Sequence, residues 1–219
     1  MPRRIIPSLL SAPPSDAPEP ETPHAFHPRQ SGPFGVLDIG TSKIVCVIGR
    51  CESDLSIRVL GRGWQKGSGV RGGGIMDIEA AERAIRACVG QAEEEAGTRL
   101  TKVTVNLSCG APRSQVFNVQ WPEGGRAVTE ADIRRMLMES RSRAGGEGRS
   151  IIHSLAMDYA ADDAEGVMDP RGLHCEILNG RVHVIDAATT ALRNLDACLA
   201  RCDLEIAELV SAPLRSEER

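Results

Sequence analysis

From residue 34 onward the apolar positions fall into short runs whose period changes several times, and each change marks an element. Val36 to Ile39 and Ile44 to Ile48 are runs of β-branched and small apolar residues separated by Gly40-Thr41-Ser42-Lys43. They predict the two strands of a tight β-hairpin, the second strand fully buried. Ser56 to Gly63 predicts a third strand, with Cys51 to Leu55 as its turn, and hence an antiparallel meander. The period then becomes helical: Ile78, Ala81, Ile85, Cys88, Val89, Ala92 and Ala96 form one stripe. Asp77 is placed to cap its start and Gly97 to end it as a C′ residue. Glu93 to Glu95 are expected in a solvated last turn.

Alternation returns over Thr101 to Ser108, with Val103, Val105 and Leu107 on one face, and again over Gln115 to Trp121, with Val116 or Phe117 inward. Thr129-Glu-Ala-Asp132 resembles a capping box. Behind it Ile133, Met136, Leu137 and Ser140 predict a helix to about Arg143, closed by Gly145, Gly146 and Gly148. Arg149 to Tyr159 and Leu173 to Asp186 predict two more strands, the latter with Asn179-Gly180 as a place to fold back. A strand-helix-strand-strand unit therefore occupies roughly 101–186. Thr189 or Thr190 then caps a helix bearing Leu192, Leu195, Cys198, Leu199 and Cys202 on one stripe; Leu204 to Val210 is a closing strand, stopped by Pro213. Strands and helices in this order predict an α/β fold carrying an α+β insert.

The first 33 residues contain nine of the thirteen prolines and no apolar period, which predicts a disordered arm. Its three arginines and three acids cancel. Lys66 to Gly74 holds five glycines in nine residues without the spacing of a known phosphate-binding motif, and reads as a flexible connection. A chain of 219 residues, 41% hydrophobic, has ample material for a core, and a net charge of only -4 speaks against nucleic acid as a partner. Seven cysteines, mostly in apolar periodic positions, read as reduced core residues of a cytoplasmic protein. No apolar run approaches the roughly 20 residues of a membrane span. His153, His174 and His183 stand in or near strands without triad-like neighbours and read as structural.

Candidate chemistry concentrates on the first hairpin. Gly40 lets main-chain N–H groups approach an anion, Thr41 and Ser42 add hydroxyls, and Lys43 adds a point charge, a set suited to a polyphosphate. Asp38 at the strand end would face the accompanying Mg²⁺ through water. The alternative is a polar turn in which Asp38 hydrogen-bonds the turn amides.

Asp38-Ile-Gly-Thr-Ser-Lys43 resembles the first phosphate loop of the actin, sugar-kinase and Hsp70 superfamily. With Gly69 to Asp77, Val103 to Gly110, His153 to Tyr159 continuing into Gly166 to Leu173, and Val182 to Ile185, the chain resembles the FtsA family of bacterial cell-division proteins from about Phe34 to about Pro213. That resemblance implies a partial actin-like (ribonuclease H-like) subdomain 1A over 34–100 and 187–214, an inserted SHS2 or 1C subdomain over 101–186, and a non-family tail at 215–219. It implies ATP and Mg²⁺ as cofactors, with Gly40, Thr41, Ser42 and Lys43 on the phosphates and Asp38 toward the metal. It also implies a scaffold at the cytoplasmic face of the inner membrane that links the FtsZ ring to the membrane. Residues 101–186 would contact FtsN-like late division proteins and mediate self-assembly. The family's second phosphate loop, adenosine loop, FtsZ-docking subdomain and membrane helix lie beyond the matched stretch, so a truncated form without hydrolytic activity is expected. An ATP-dependent small-molecule kinase or a pilus-assembly relative of the same superfamily is the alternative.

Overall fold

The computed structural model describes residues 32–211 except residue 73, and the expectations for the proline-rich arm, Pro213 and the tail fall on residues outside or largely outside that range. In chain order the elements are β1 (Phe34–Ile39), β2 (Lys43–Cys51), β3 (Ile57–Lys66), β4 (Val70–Arg71), β5 (Gly74–Ile75), α1 (Ile78–Ala96) and β6 (Lys102–Leu107). They continue with β7 (Arg113–Pro122), α2 (Glu130–Ala144), β8 (Arg149–Ala161), β9 (Ala164–Val167), β10 (Ile177–Ala188), α3 (Thr189–Arg201) and β11 (Glu205–Ser211). The chain divides into two compact units, one made of the segments on either side of residues 113–186 and the other of Arg113–Asp186.

The first unit is built on a five-stranded sheet ordered β11-β6-β1-β2-β3. The meander β1-β2-β3 is antiparallel, while β6 and β11 run parallel to β1. Strand β6 was expected to open the insert; it instead pairs with β1 and β11, so the inserted unit begins after it. Leu37, Ile44, Cys46, Ile48, Val103, Val105 and Leu107 bury one face of this sheet. Helix α1 packs on that side so closely that a Cβ on Gly63 would lie 1.8 Å from the carbonyl oxygen of Cys88. Asp77 caps α1 by accepting from the Ala80 N–H, and Gly97 ends it at φ +62°, as the pattern predicts. Glu93 departs from the solvated last turn: it is 9% exposed, accepts from the Leu100 N–H at 2.7 Å and pairs with Arg99 at 2.9 Å. Its carboxylate adds to the Gly97 cap by holding the chain that leaves the helix. At the far end of α3, Cys198 and Cys202 donate to the Ile78 and Glu82 carbonyls, which gives both thiols a packing role against α1. Helix α3 starts at Thr189 after Ala188 with no side-chain cap, contrary to the expectation for Thr189 or Thr190.

The second unit is a four-stranded sheet ordered β7-β10-β8-β9, with α2 packed on β7 and β8. Its core gathers Val119, Ile133, Met136, Leu137, Tyr159, Leu178, Val182 and Val184, with Phe117 and Trp121 against them. Phe117 is thus the inward residue, and Val116 is 51% exposed. Asn179-Gly180 makes no turn, since β10 runs unbroken through it. Gly180 serves packing: a Cβ there would lie 2.7 Å from Met136 Cε and 3.4 Å from the Tyr159 ring. The capping box at Thr129 and Asp132 is present, and Asp132 is buried in it. Its carboxylate accepts from the Thr129 N–H and hydroxyl and from both arms of Arg126, with Arg135 close by. These donors hold the Asp132 carboxyl well below the usual range.

Candidate functional site

Strands β1 and β2 pair without slip up to Ile39 and Ile44, and the turn between them closes with the Gly40 N–H donating to the Lys43 carbonyl at 2.9 Å. The amides of Thr41 and Ser42 make no hydrogen bond among the described residues, nor do their hydroxyls, so four donors stand together on one turn. Consecutive free main-chain donors with a cation beside them form an anion-binding concavity. Thr41, Ser42 and Lys43 are exposed and Gly40 is half-buried.

Two further segments fix this turn. The first is the end of β3. That strand runs three residues past its expected end, to Lys66, so the supposed flexible connection begins inside a strand and then contains the β4-β5 hairpin. Gly67 donates its N–H to the Ser42 carbonyl at 3.0 Å, and a Cβ there would lie 2.2 Å from the Thr41 carbonyl oxygen. Only glycine permits that approach. The second is β6. Its Asn106 donates to the Asp38 carboxylate at 2.9 Å, and Ser108 donates to the Ile39 carbonyl at 2.9 Å. Asp38 therefore bonds Asn106 of the neighbouring strand and not the turn amides. Asn106 and Ser108 lie in the Val103 to Gly110 stretch of the resemblance but carry no site role there, because they become neighbours of β1 only through the parallel pairing of β6.

The second oxygen of Asp38 makes no hydrogen bond among the described residues. A single carboxylate with one free oxygen fits a cation that keeps its own waters. No group of three His, Cys, Asp or Glu side chains stands together among the described residues to hold a metal directly. The buried amide oxygen of Asn106 also has no partner, a polar position left open beside Asp38. The set fits a hydrated divalent ion accompanying a phosphate.

The other unit offers a second surface. Across its sheet, Asp158 on β8 and Arg181 on β10 form a forked ion pair, with Nε of Arg181 2.8 Å from Asp158 Oδ1. The guanidinium holds the Asp158 carboxyl below the usual range. Asn118, Gln120 and Asn179 complete an open polar hollow of about 1090 Å³. Two of the described histidines are held by hydrogen bonds: His183 Nε2 lies 2.5 Å from the Ser114 hydroxyl, and His174 Nδ1 lies 2.9 Å from the Gly125 carbonyl. No helix among the described residues is long and apolar enough to cross a membrane.

Comparison with known proteins gives a consistent picture. Residues 110–186 match the family described as the SHS2 domain inserted in FtsA. The cell division protein FtsA of Agrobacterium fabrum is 33% identical over 198 residues, 86% of this chain and 45% of that protein. FtsA of Pseudomonas aeruginosa is 33% identical over 188 residues, and FtsA of Escherichia coli K12 is 26% identical over 180. The chain spans about half the length of the curated relatives it matches. Among solved structures, the PilM-PilN type IV pilus biogenesis complex superposes with a TM-score of 0.55 at 17% identity, covering 84% of this chain and 48% of that one. This last likeness shows a shared actin-like fold.

Proposed function

Taking the chain as FtsA-like over part of that family's length and as a carrier of its SHS2 domain, we propose that it is a cell-division component of the FtsA type. Its contribution is to present interaction surfaces for other division proteins. The observation that carries this reading is the position of the SHS2 unit: it leaves the actin-like sheet after β6 and rejoins it at α3, and the FtsA-type match falls on the same residues. The exposed face around Asp158, Arg181 and Val116 is the proposed contact for late division proteins and for self-assembly. Linking FtsZ to the inner membrane is the role proposed for the whole family protein, of which this chain carries the part described.

The hairpin turn takes the phosphates of ATP, with the amides and hydroxyls of Thr41 and Ser42 and the Lys43 ammonium as the donors, Gly40 shaping the turn, and Asp38 facing Mg²⁺ through water. The ion, when bound, neutralises phosphate charge; this chain's residues orient the anion and its hydrated partner. Kinship at the level of sequence with FtsA weighs against the pilus-assembly reading, which rests on fold alone.

Co-purification of the full chain with a panel of late division membrane proteins tests the scaffold reading. Enrichment of at least one, reduced by Arg181→Glu combined with Val116→Glu, is expected. No enrichment over a scrambled-sequence control would refute it. Titration with a fluorescent ATP analogue tests the turn, with saturable binding expected and its loss in Asp38→Ala.

A further inference from the structure

Lys43 and Lys66 stand directly opposite each other at the end of the β2-β3 pair. Residues opposite one another across antiparallel strands project to the same face, and like charges there are destabilising. Following the alternation, Lys43 shares its face with Val45, which lies opposite Trp64 in β3 and opposite Asp38 in β1. Both lysines are therefore on the Asp38 face. Both are exposed, and neither meets an acid among the described residues, although most of the described arginines are paired. A pair of unneutralised cations at this point costs stability. It is moreover locked to the turn, because Gly67, the residue after Lys66, is hydrogen-bonded to Ser42 and pressed against Thr41.

We infer that Lys66 is a second cation for the anion held by the Gly40 to Lys43 turn, the two lysines forming a clamp that selects a polyphosphate over a single phosphate. The inference rests on the phosphate-loop reading of that turn. Opposite residues on paired strands have Cα atoms about 4.5–5.5 Å apart. Two ammonium groups on flexible stems from that base reach neighbouring phosphoryl groups of one chain, whereas one phosphate already saturates the turn donors and Lys43. Each contact is a charge-assisted hydrogen bond, the strong kind. Lys66 came from outside the recognised loop and is brought to it only by strand register.

The test uses the full chain in a Trp121→Phe background, so that Trp64, two residues from Lys66 and on its face, is the fluorescent reporter. Inorganic tripolyphosphate and orthophosphate are titrated against this protein and against its Lys66→Ala, Lys66→Arg and Lys43→Ala variants. Calorimetry is run in parallel in case the indole is silent. Lys66→Ala is expected to weaken tripolyphosphate binding about tenfold, a loss of ~1.4 kcal/mol. It should leave orthophosphate binding nearly unchanged, and Lys66→Arg should restore most of the loss. Without anion, Lys66→Ala should melt at or above the parent temperature, because the like-charge pair is gone. Equal tripolyphosphate affinity in parent and Lys66→Ala, with binding lost in Lys43→Ala, would overturn the clamp and leave the phosphate loop standing. No tripolyphosphate binding by the parent would overturn both.

Discussion

Replacing Asp132 by alanine should unsettle the SHS2 unit more than any single surface ion pair, and the structure allows the size to be worked out. The carboxylate is 1% exposed and accepts from Thr129 N–H at 2.9 Å, Thr129 Oγ1 at 2.5 Å and Arg126 at 2.7 and 2.8 Å. Losing its half of the capping box costs about 1 kcal/mol. Losing the hydrogen bonds to a buried charge costs a further ~1.5–3 kcal/mol. Arg126 is 47% exposed and can turn to water, which keeps the total below the ~3–5 kcal/mol of a fully buried broken pair. About 2.5–4 kcal/mol is therefore expected. Because the folded-state pKa of Asp132 is depressed, its contribution is present in full above the unfolded-state pKa of ~3.9 and is lost as pH falls toward the folded value. Below that point the advantage of the parent over Asp132→Ala should shrink by up to ~1.4 kcal/mol per pH unit. Urea unfolding followed by Trp121 fluorescence, in a Trp64→Phe background, reads this unit, since Trp121 packs on its core. A difference under about 1 kcal/mol at pH 7, or one that does not narrow in acid, would refute the assignment of Asp132 as an ionised anchor.

Three other outcomes follow from the same physical reasoning. Glu123 has a fully buried side chain near Asp132; its contact with Arg126 at 2.7 Å is close but misaligned for a hydrogen bond, and burial, then Asp132, raises its pKa. Since a raised carboxyl loses stability as pH rises from the unfolded value through the folded one, Glu123→Gln should stabilise the protein at pH 7–8 and have no effect near pH 4, as read by urea midpoints. Gly63→Ala places a methyl against the α1 backbone and should cost at least the ~1–3 kcal/mol of core overpacking, visible as a lowered melting temperature. Burial pushes the Cys46 and Cys202 thiols up to about 12 and Cys88 to about 11, so native-state alkylation at pH 8 should modify half-buried Cys51 first, as peptide mass mapping will show.

What could be read directly from the chain was local. The Gly40 to Lys43 turn, the Asp77 cap, the Gly97 terminator and the Thr129 box each depend on residues within a few positions of one another, and all are found where the pattern places them. The resemblance to FtsA was likewise carried by short ordered stretches and agrees with the matched relatives. Tertiary structure decided everything that depends on which strand lies beside which. A period of two says which residues share a face and nothing about the neighbour across the hydrogen bonds. The parallel seating of β6 against β1 therefore moved a strand out of the insert and brought Asn106 and Ser108 to Asp38. Register alone set Lys66 opposite Lys43. Close packing likewise made Gly180 a spacer beneath Met136 and buried Glu93, because the room left by a neighbouring element is not written in the residues that occupy it.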